Sequence, residues 1–401
     1  MRRPPLGVWL YGERIAEIVP KGRGYDIALR YSDVARERWP GNSPLLSCSL
    51  PLGRLPLHAT PFFRGLFPEG QHLLYLAAQV NVSSHDIYGL LARYGRDVAG
   101  AVVVANDDPE LRHGDAIPYD NESLAEEVAG LEERPLALYD DSELSLPGLQ
   151  NKLLLIRTND GWARPTDGRP STHILKTEDR RYPGLVAMEH AAMSLARRLE
   201  LTSAQTEVVT LGGINCIIVS RFDRTTDGSG RTSRVHQEDL CQAMGMNPQT
   251  KYESHGGPRL AQLAELLDRH STQPEHELTR LVSAVVFHVI IGNADAHAKN
   301  MSLLHTAPGV VYLAPLYDTV PTVLWPKLPD RAALFVNGVT TLSRISIRDV
   351  VEEAKRWPLD PALAQRTAEH VVTCVLEEID VIPDRFAEVV SARARAFLAS
   401  K

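Results

Sequence analysis

The segment Gly292-Asn293-Ala294-Asp295-Ala296-His297-Ala298-Lys299-Asn300 stands directly after the apolar run Leu281 to Gly292. Asp295 and Asn300 are five residues apart. That spacing puts a carboxylate able to orient a hydroxyl and accept its proton close to an amide oxygen able to bind Mg²⁺, which is the chemistry of phosphoryl transfer. Asp318 follows Val310 to Leu313, which reads as the returning strand of a hairpin, and brings a third hard oxygen of the kind Mg²⁺ favours. Spacing alone also allows all three to be cap and turn residues. His297 and His305 leave open a mixed His/Asp site for a transition metal.

Phosphoryl transfer also needs cations for the phosphates. Lys176 closes the β-branched and apolar run Ser171-Thr172-His173-Ile174-Leu175-Lys176, like the lysine of the V-A-I-K strand in kinases. Glu189, on the helical stretch Leu185 to Leu199, is the acid placed to hold that lysine. No GxGxxG precedes Lys176. In its place stands Leu144-Ser145-Leu146-Pro147-Gly148-Leu149-Gln150-Asn151-Lys152, where Gly148 permits close approach to a phosphate and Ser145 and Lys152 bring a hydroxyl and a charge. Taken alone, the lysine reads equally as a surface residue and the loop as a plain turn opening a strand.

These residues need a scaffold, and the chain has length for more than one: 401 residues, 44% hydrophobic and 23% charged, the balance of a folded protein rather than a disordered or coiled-coil one. The run Leu281 to Gly292 is interrupted by Ser283 and His288 and falls short of the ~20 apolar residues a membrane span needs, so it reads as a buried helix. The N-terminus lacks the apolar stretch of a signal peptide, which predicts a cytoplasmic protein. Four cysteines without a CxxC pair, Cys48, Cys216, Cys241 and Cys374, read as small buried apolar side chains.

Between Asp107 and Glu143, 13 acidic residues face two arginines, a net of −11 in a chain of net −7, so the remainder is slightly basic without a broad cationic face. Duplex DNA binding by this chain alone is therefore disfavoured. The acidic stretch reads as a solvated helical connector. Before it, Gly7–Leu10, Ile15–Val19 and Asp26–Tyr31 predict a small sheet, followed by a helix over Asp86 to Tyr94 that Ser83 or Ser84 can cap. After it, Lys152–Arg157, Thr172–Lys176, Gln205–Leu211 and Ile214–Phe222 predict a second sheet with the helix Leu185–Leu199 packed on it. From Glu238 onward the pattern is mainly helical.

With SLPGLQNK, THILK and GNADAHAKN stand further ordered motifs: SLPL at 49–52, PFFRGLFPEG at 61–70, GRD at 95–97 with GAV at 100–102, SRFDR at 220–224, HQEDLC at 236–241 and KYESHGGP at 251–258. Together they resemble, over nearly the whole length, the HipA family of bacterial serine/threonine protein kinases, the toxin halves of toxin–antitoxin modules. For SLPL and PFFRGLFPEG the expectation is packing of a shared fold.

The resemblance implies an α+β, bilobal protein-kinase-like fold. Residues 1–105 would form an N-terminal α+β subdomain, 106–143 the acidic connector, 144–235 a small β-rich lobe and 236–401 an all-helical C-terminal lobe. It further implies Asp295 as catalytic base, Asn300 and Asp318 as Mg²⁺ ligands, and Lys176 at the ATP phosphates with Glu189 behind it. Gly148, Gln150 and Lys152 would form the phosphate-facing loop, Ser145 the autophosphorylated serine, and Ser220 and Phe222 the hinge that receives adenine. Pro147, Leu149 and Asn151 replace smaller or acidic residues expected in the loop, and Ser220 replaces a glutamate. Implied partners are a small helix-turn-helix antitoxin of HipB type, operator DNA through that antitoxin, and a protein substrate such as an aminoacyl-tRNA synthetase, with no membrane. Two other readings share these motifs: a degenerate kinase fold serving as co-repressor scaffold, and a small-molecule kinase.

Overall fold

The computed structural model describes residues 3–399 except 23, 110–113, 134–149, 203, 229 and 308. The chain divides into two compact units. One comprises Met1–Thr177, Val209–Gln249 and Leu304–Gly309; the other comprises Glu178–Val208, Thr250–Leu303 and Val310–Lys401.

The first unit begins with a five-stranded sheet ordered Leu57–His58, Ile27–Tyr31, Glu13–Pro20, Leu6–Leu10, Val102–Ala105, antiparallel throughout. Tyr11 and Gly12, at φ of 53° and 81°, make the tight turn between its first two strands, because two positive-φ residues match the twist of a hairpin. Phe62, Phe63 and Phe67 of PFFRGLFPEG are buried in the core under this sheet, as are Leu50 and Leu52 of SLPL. The helix Ile87–Tyr94 is capped by Asp86, whose side chain accepts from Gly89 N, and not by Ser83 or Ser84. Ser83 Oγ instead accepts from His85 N in the turn before, one step too early to reach the first helical turn.

The second sheet runs Thr206–Leu211, Ile214–Ser220, His173–Thr177, Lys152–Thr158, Gly161–Pro165, Ala116–Pro118. Its edge strand Ala116–Pro118 and the helix Asn121–Ala129 come from the acidic segment. Leu124 and Val128 of that helix pack on Leu153, Leu155, Leu175, Cys216 and Ile218, which by strand alternation share one face of the sheet.

GRD and SRFDR meet in a buried ionic knot. Asp97 lies 2.9 Å from Arg224 and accepts from Ser171 Oγ at 2.7 Å, while Asp223 lies 2.8 Å from Arg221 and 3.0 Å from Arg224. Burial alone would raise both acids; the surrounding guanidiniums outweigh it and hold both below the usual carboxylate range. HQEDLC is equally structural: Glu238 accepts from Ser47 Oγ at 2.5 Å and Cys48 N at 2.9 Å and pairs with His305 Nε2 at 2.9 Å. Cys216 and Cys241 are buried, whereas Cys48 and Cys374 are half-exposed, contrary to the expectation that all four are buried.

The second unit is mainly helical. Pro274–Ile291, buried along most of its length, packs against Leu260–His270, Ile347–Ala354, Pro361–Glu377 and Asp384–Ala399. The helix Leu185–Arg198 belongs here too. The lobe is not purely helical: Arg331–Val336 and Val339–Thr341 form a hairpin over Asn337 and Gly338, which at φ of 50° and 76° supply the turn. Among the described residues no helix is long and apolar enough to cross a membrane.

Candidate active site

Helix Pro274–Ile291 ends at Gly292 in the left-handed conformation, φ 76° and ψ 38°, and the chain turns sharply into the loop. Asn293 holds the loop from below: its Oδ1 accepts from Asp295 N at 3.0 Å and its Nδ2 bonds His288 Nδ1 at 3.2 Å. Ala294 N donates to Thr322 Oγ1 at 2.8 Å. The Asp295 carbonyl accepts from His297 N at 2.8 Å and from Asn300 Nδ2 at 3.0 Å. Of residues 291–300, Asp295 alone is exposed. The loop thus presents one carboxylate to solvent on a backbone fastened at both ends.

Asn300's amide nitrogen is spent on the Asp295 carbonyl, so its Oδ1 is the atom left to act as an acceptor for a cation. Asp318 sits half-buried at φ 51°, directly after Tyr317, whose hydroxyl bonds Lys299 O and Ser302 Oγ at 2.6 Å each and so ties this turn to the end of the loop. Burial and the charges of Lys251 and Lys299 push His297 down to about 3, with Asp318 acting in the opposite sense, so these groups share one neighbourhood and His297 is neutral at physiological pH. An amide oxygen and a carboxylate are hard donors of the kind Mg²⁺ favours. Among the described residues no three His, Cys, Asp or Glu side chains converge as a metal cluster, and His305 is engaged by Glu238, so the mixed His/Asp site is not formed.

In the first unit Lys152 and Lys176 are direct register partners on adjacent antiparallel strands, as are Leu153 with Leu175 and Leu154 with Ile174. The two lysines therefore point to one face, the face opposite that covered by helix Asn121–Ala129. Gln150 Nε2 donates to Thr177 O at 2.9 Å, fixing the residue two before Lys152 to the end of the lysine strand. Ser220 lies opposite His173, and Phe222, next to the buried Arg221, is half-buried. His173 is driven to about 4 by burial and by Arg157. Glu189 is buried on helix Leu185–Arg198 of the second unit. Ser145 and Gly148 lie outside the described residues.

Residues 6–105 match the HipA N-terminal domain and residues 144–379 the HipA-like C-terminal domain. The Sinorhizobium fredii protein named "Putative kinase Y4mE" is 35% identical, over 97% of this chain and 97% of its own. The chain belongs to the HipA family. The serine/threonine-protein kinase toxin HipA of Shewanella oneidensis is 29% identical over 69% of this chain and 66% of its own. The fold is that of HipA: the solved Shewanella oneidensis complex of HipA, HipB and operator DNA superposes at a TM-score of 0.82 with 26% identity, covering 98% of this chain and 96% of that one.

Within this HipA-family chain, sequence reasoning passed over Tyr252, whose hydroxyl donates to Asp295 Oδ1 at 2.6 Å, and the lysines Lys251 and Lys299 around His297. The signal was present in KYESHGGP, but neither its spacing nor its composition says that it folds against the loop 47 residues further on, where Lys251 O accepts from Ala298 N at 3.1 Å.

Proposed function

We propose that this HipA-family chain is an ATP- and Mg²⁺-dependent serine/threonine protein kinase, the toxin of a HipBA-type module acting in the cytoplasm. The observation that carries this is the loop 293–300, which exposes Asp295 alone and fastens the Asn300 amide nitrogen to the Asp295 carbonyl. Asp295 accepts the proton of the incoming serine or threonine hydroxyl. Lys152 and Lys176 attract and orient phosphates by charge, and Ser220 and Phe222 border adenine. Asn300 and Asp318 would hold the metal, which when bound with ATP neutralises charge on the transferred phosphoryl group. Glu189 would steady Lys176, and Gly148, Gln150 and Lys152 would form the phosphate-facing loop.

Ser145 is the proposed autophosphorylation site: a phosphate there, carrying about −1.5 to −2 charge, competes for the same cations that hold ATP. The proposed protein substrate is an aminoacyl-tRNA synthetase. The proposed partner is a HipB-like helix-turn-helix antitoxin that supplies the DNA contact, since the chain itself carries a net charge of −7.

Transfer of labelled phosphate from ATP to protein, wild type against Asp295→Asn, tests the reading. Wild type is expected to label itself at Ser145 and to label protein in a lysate, with Asp295→Asn silent. Asp318→Ala is expected to abolish transfer while melting like wild type. Equal labelling by wild type and Asp295→Asn would refute the assignment, and a non-protein product would point to a small-molecule kinase.

A further inference from the structure

Asp295 is the exposed carboxylate of the loop. Efficient proton transfer needs the accepting oxygen held within about 0.5 Å of its working position. The loop secures the Asp295 backbone through Asn293, His297 and Asn300, but none of those bonds reaches the carboxylate. Tyr252 does, through a 2.6 Å hydrogen bond from its hydroxyl to Oδ1, a length typical of a hydroxyl donating to a charged oxygen.

Tyr252 is itself immobilised. Its carbonyl accepts from His255 N at 2.9 Å and Gly257 N at 3.1 Å, and a Cβ at Gly257 would stand 2.0 Å from Thr250 O and 2.7 Å from Tyr252 O, so only glycine closes this turn. The preceding carbonyl, of Lys251, takes the Ala298 amide. The next side chain, Glu253, accepts from Phe335 N at 2.7 Å. The ring meets His297 nearly edge-on at 5.2 Å and His255 at 5.8 Å. A phenol with two torsions, packed on the loop and hydrogen-bonded at its tip, is a rigid strut.

We infer that Tyr252 is a positioning residue that sets the rotation of the Asp295 carboxylate for the acceptor hydroxyl, an inference that rests on the kinase reading above. Tyr252→Phe keeps the ring on His297 and removes the hydroxyl that donates to Asp295. Because a misplacement of about 1 Å at a reacting group costs on the order of a hundredfold, kcat should fall about tenfold to a hundredfold, with the KM for ATP and nucleotide affinity unchanged. Tyr252→Leu, which removes ring and hydroxyl, should lose little more.

A Phe variant with wild-type kcat, or a Phe variant that is normal while Leu is crippled, would overturn the inference by showing that only ring packing matters. The tether is also read without activity, by urea unfolding of Tyr252→Phe, Asp295→Ala and the double variant. If the bond exists the midpoint shifts of the singles do not add in the double; additive shifts would overturn it. Wild-type protein that transfers no phosphate would sink the kinase reading alone, and the unfolding cycle would still decide the tether.

Discussion

Replacing Gly292 by alanine strikes the junction between the buried helix and the loop that carries Asp295. Two costs follow from the structure. Gly292 has φ 76° and ψ 38°, where an L-residue's Cβ crowds its own carbonyl at about 1–2 kcal/mol. The added Cβ would also stand 2.2 Å from Val323 Cγ2 and 3.2 Å from Val323 Cβ and Cγ1. Val323 cannot retreat freely, since its N–H and the Thr322 hydroxyl both donate to the Gly292 carbonyl at 3.2 Å. Forcing a methyl into such a contact costs about 1–3 kcal/mol.

The sum is about 2–5 kcal/mol against a typical total of about 5–15, enough to lower the urea midpoint plainly, with Trp325 as a nearby fluorescent reporter. Val323→Ala in the same chain removes both γ-carbons and should recover the overlap share, leaving about 1–2 kcal/mol for the backbone. Unfolding within about 0.5 kcal/mol of wild type, or no recovery in the double variant, would refute the argument.

Two further expectations concern buried charge. Asp97→Ala leaves Arg224 and Arg221 short of a buried counter-charge and should cost about 3–5 kcal/mol in denaturant unfolding; a loss under about 1 kcal/mol would show that water or rearrangement satisfies them. Because Asp97 is held below its unfolded value, its contribution is present above about pH 4 and fades as pH falls through the folded value, so wild type should show an acid-side loss of stability that Asp97→Ala lacks. His288 is driven to about 4 by burial, from a model-peptide value of about 6.5, so stability should decline as pH falls from about 6.5 to 4, by at most about 3 kcal/mol. His288→Gln should flatten that slope, and an unchanged slope from pH 7 to 4 would remove His288 as its source.

Much of this protein is legible in its sequence because the responsible physics is local. Runs of apolar and β-branched residues between turn residues mark Lys152–Thr158, His173–Thr177 and Ile214–Ser220, and the helical period marks Leu185–Arg198 to within a residue. The loop from Asn293 to Asn300 is a short stretch whose residue types suffice to suggest its chemistry, and Val310–Leu313 is a strand as its pattern indicates.

What the tertiary structure decided depends on pairings between distant segments. Nothing within THILK or SLPGLQNK reveals that Lys152 and Lys176 are register partners, because register is set by how whole strands align. Asp97 of GRD and Arg221, Asp223 and Arg224 of SRFDR form a buried ionic knot, since only the fold brings Asp97 within 2.9 Å of Arg224, 127 residues away. The cap of Ile87–Tyr94 went to Asp86 instead of a serine because helix ends are settled by a bond of one or two residues' reach that several polar side chains could make. The strut from Tyr252 to Asp295 spans 43 residues, and a hydroxyl 2.6 Å from a carboxylate is a fact of packing that residue order alone does not contain.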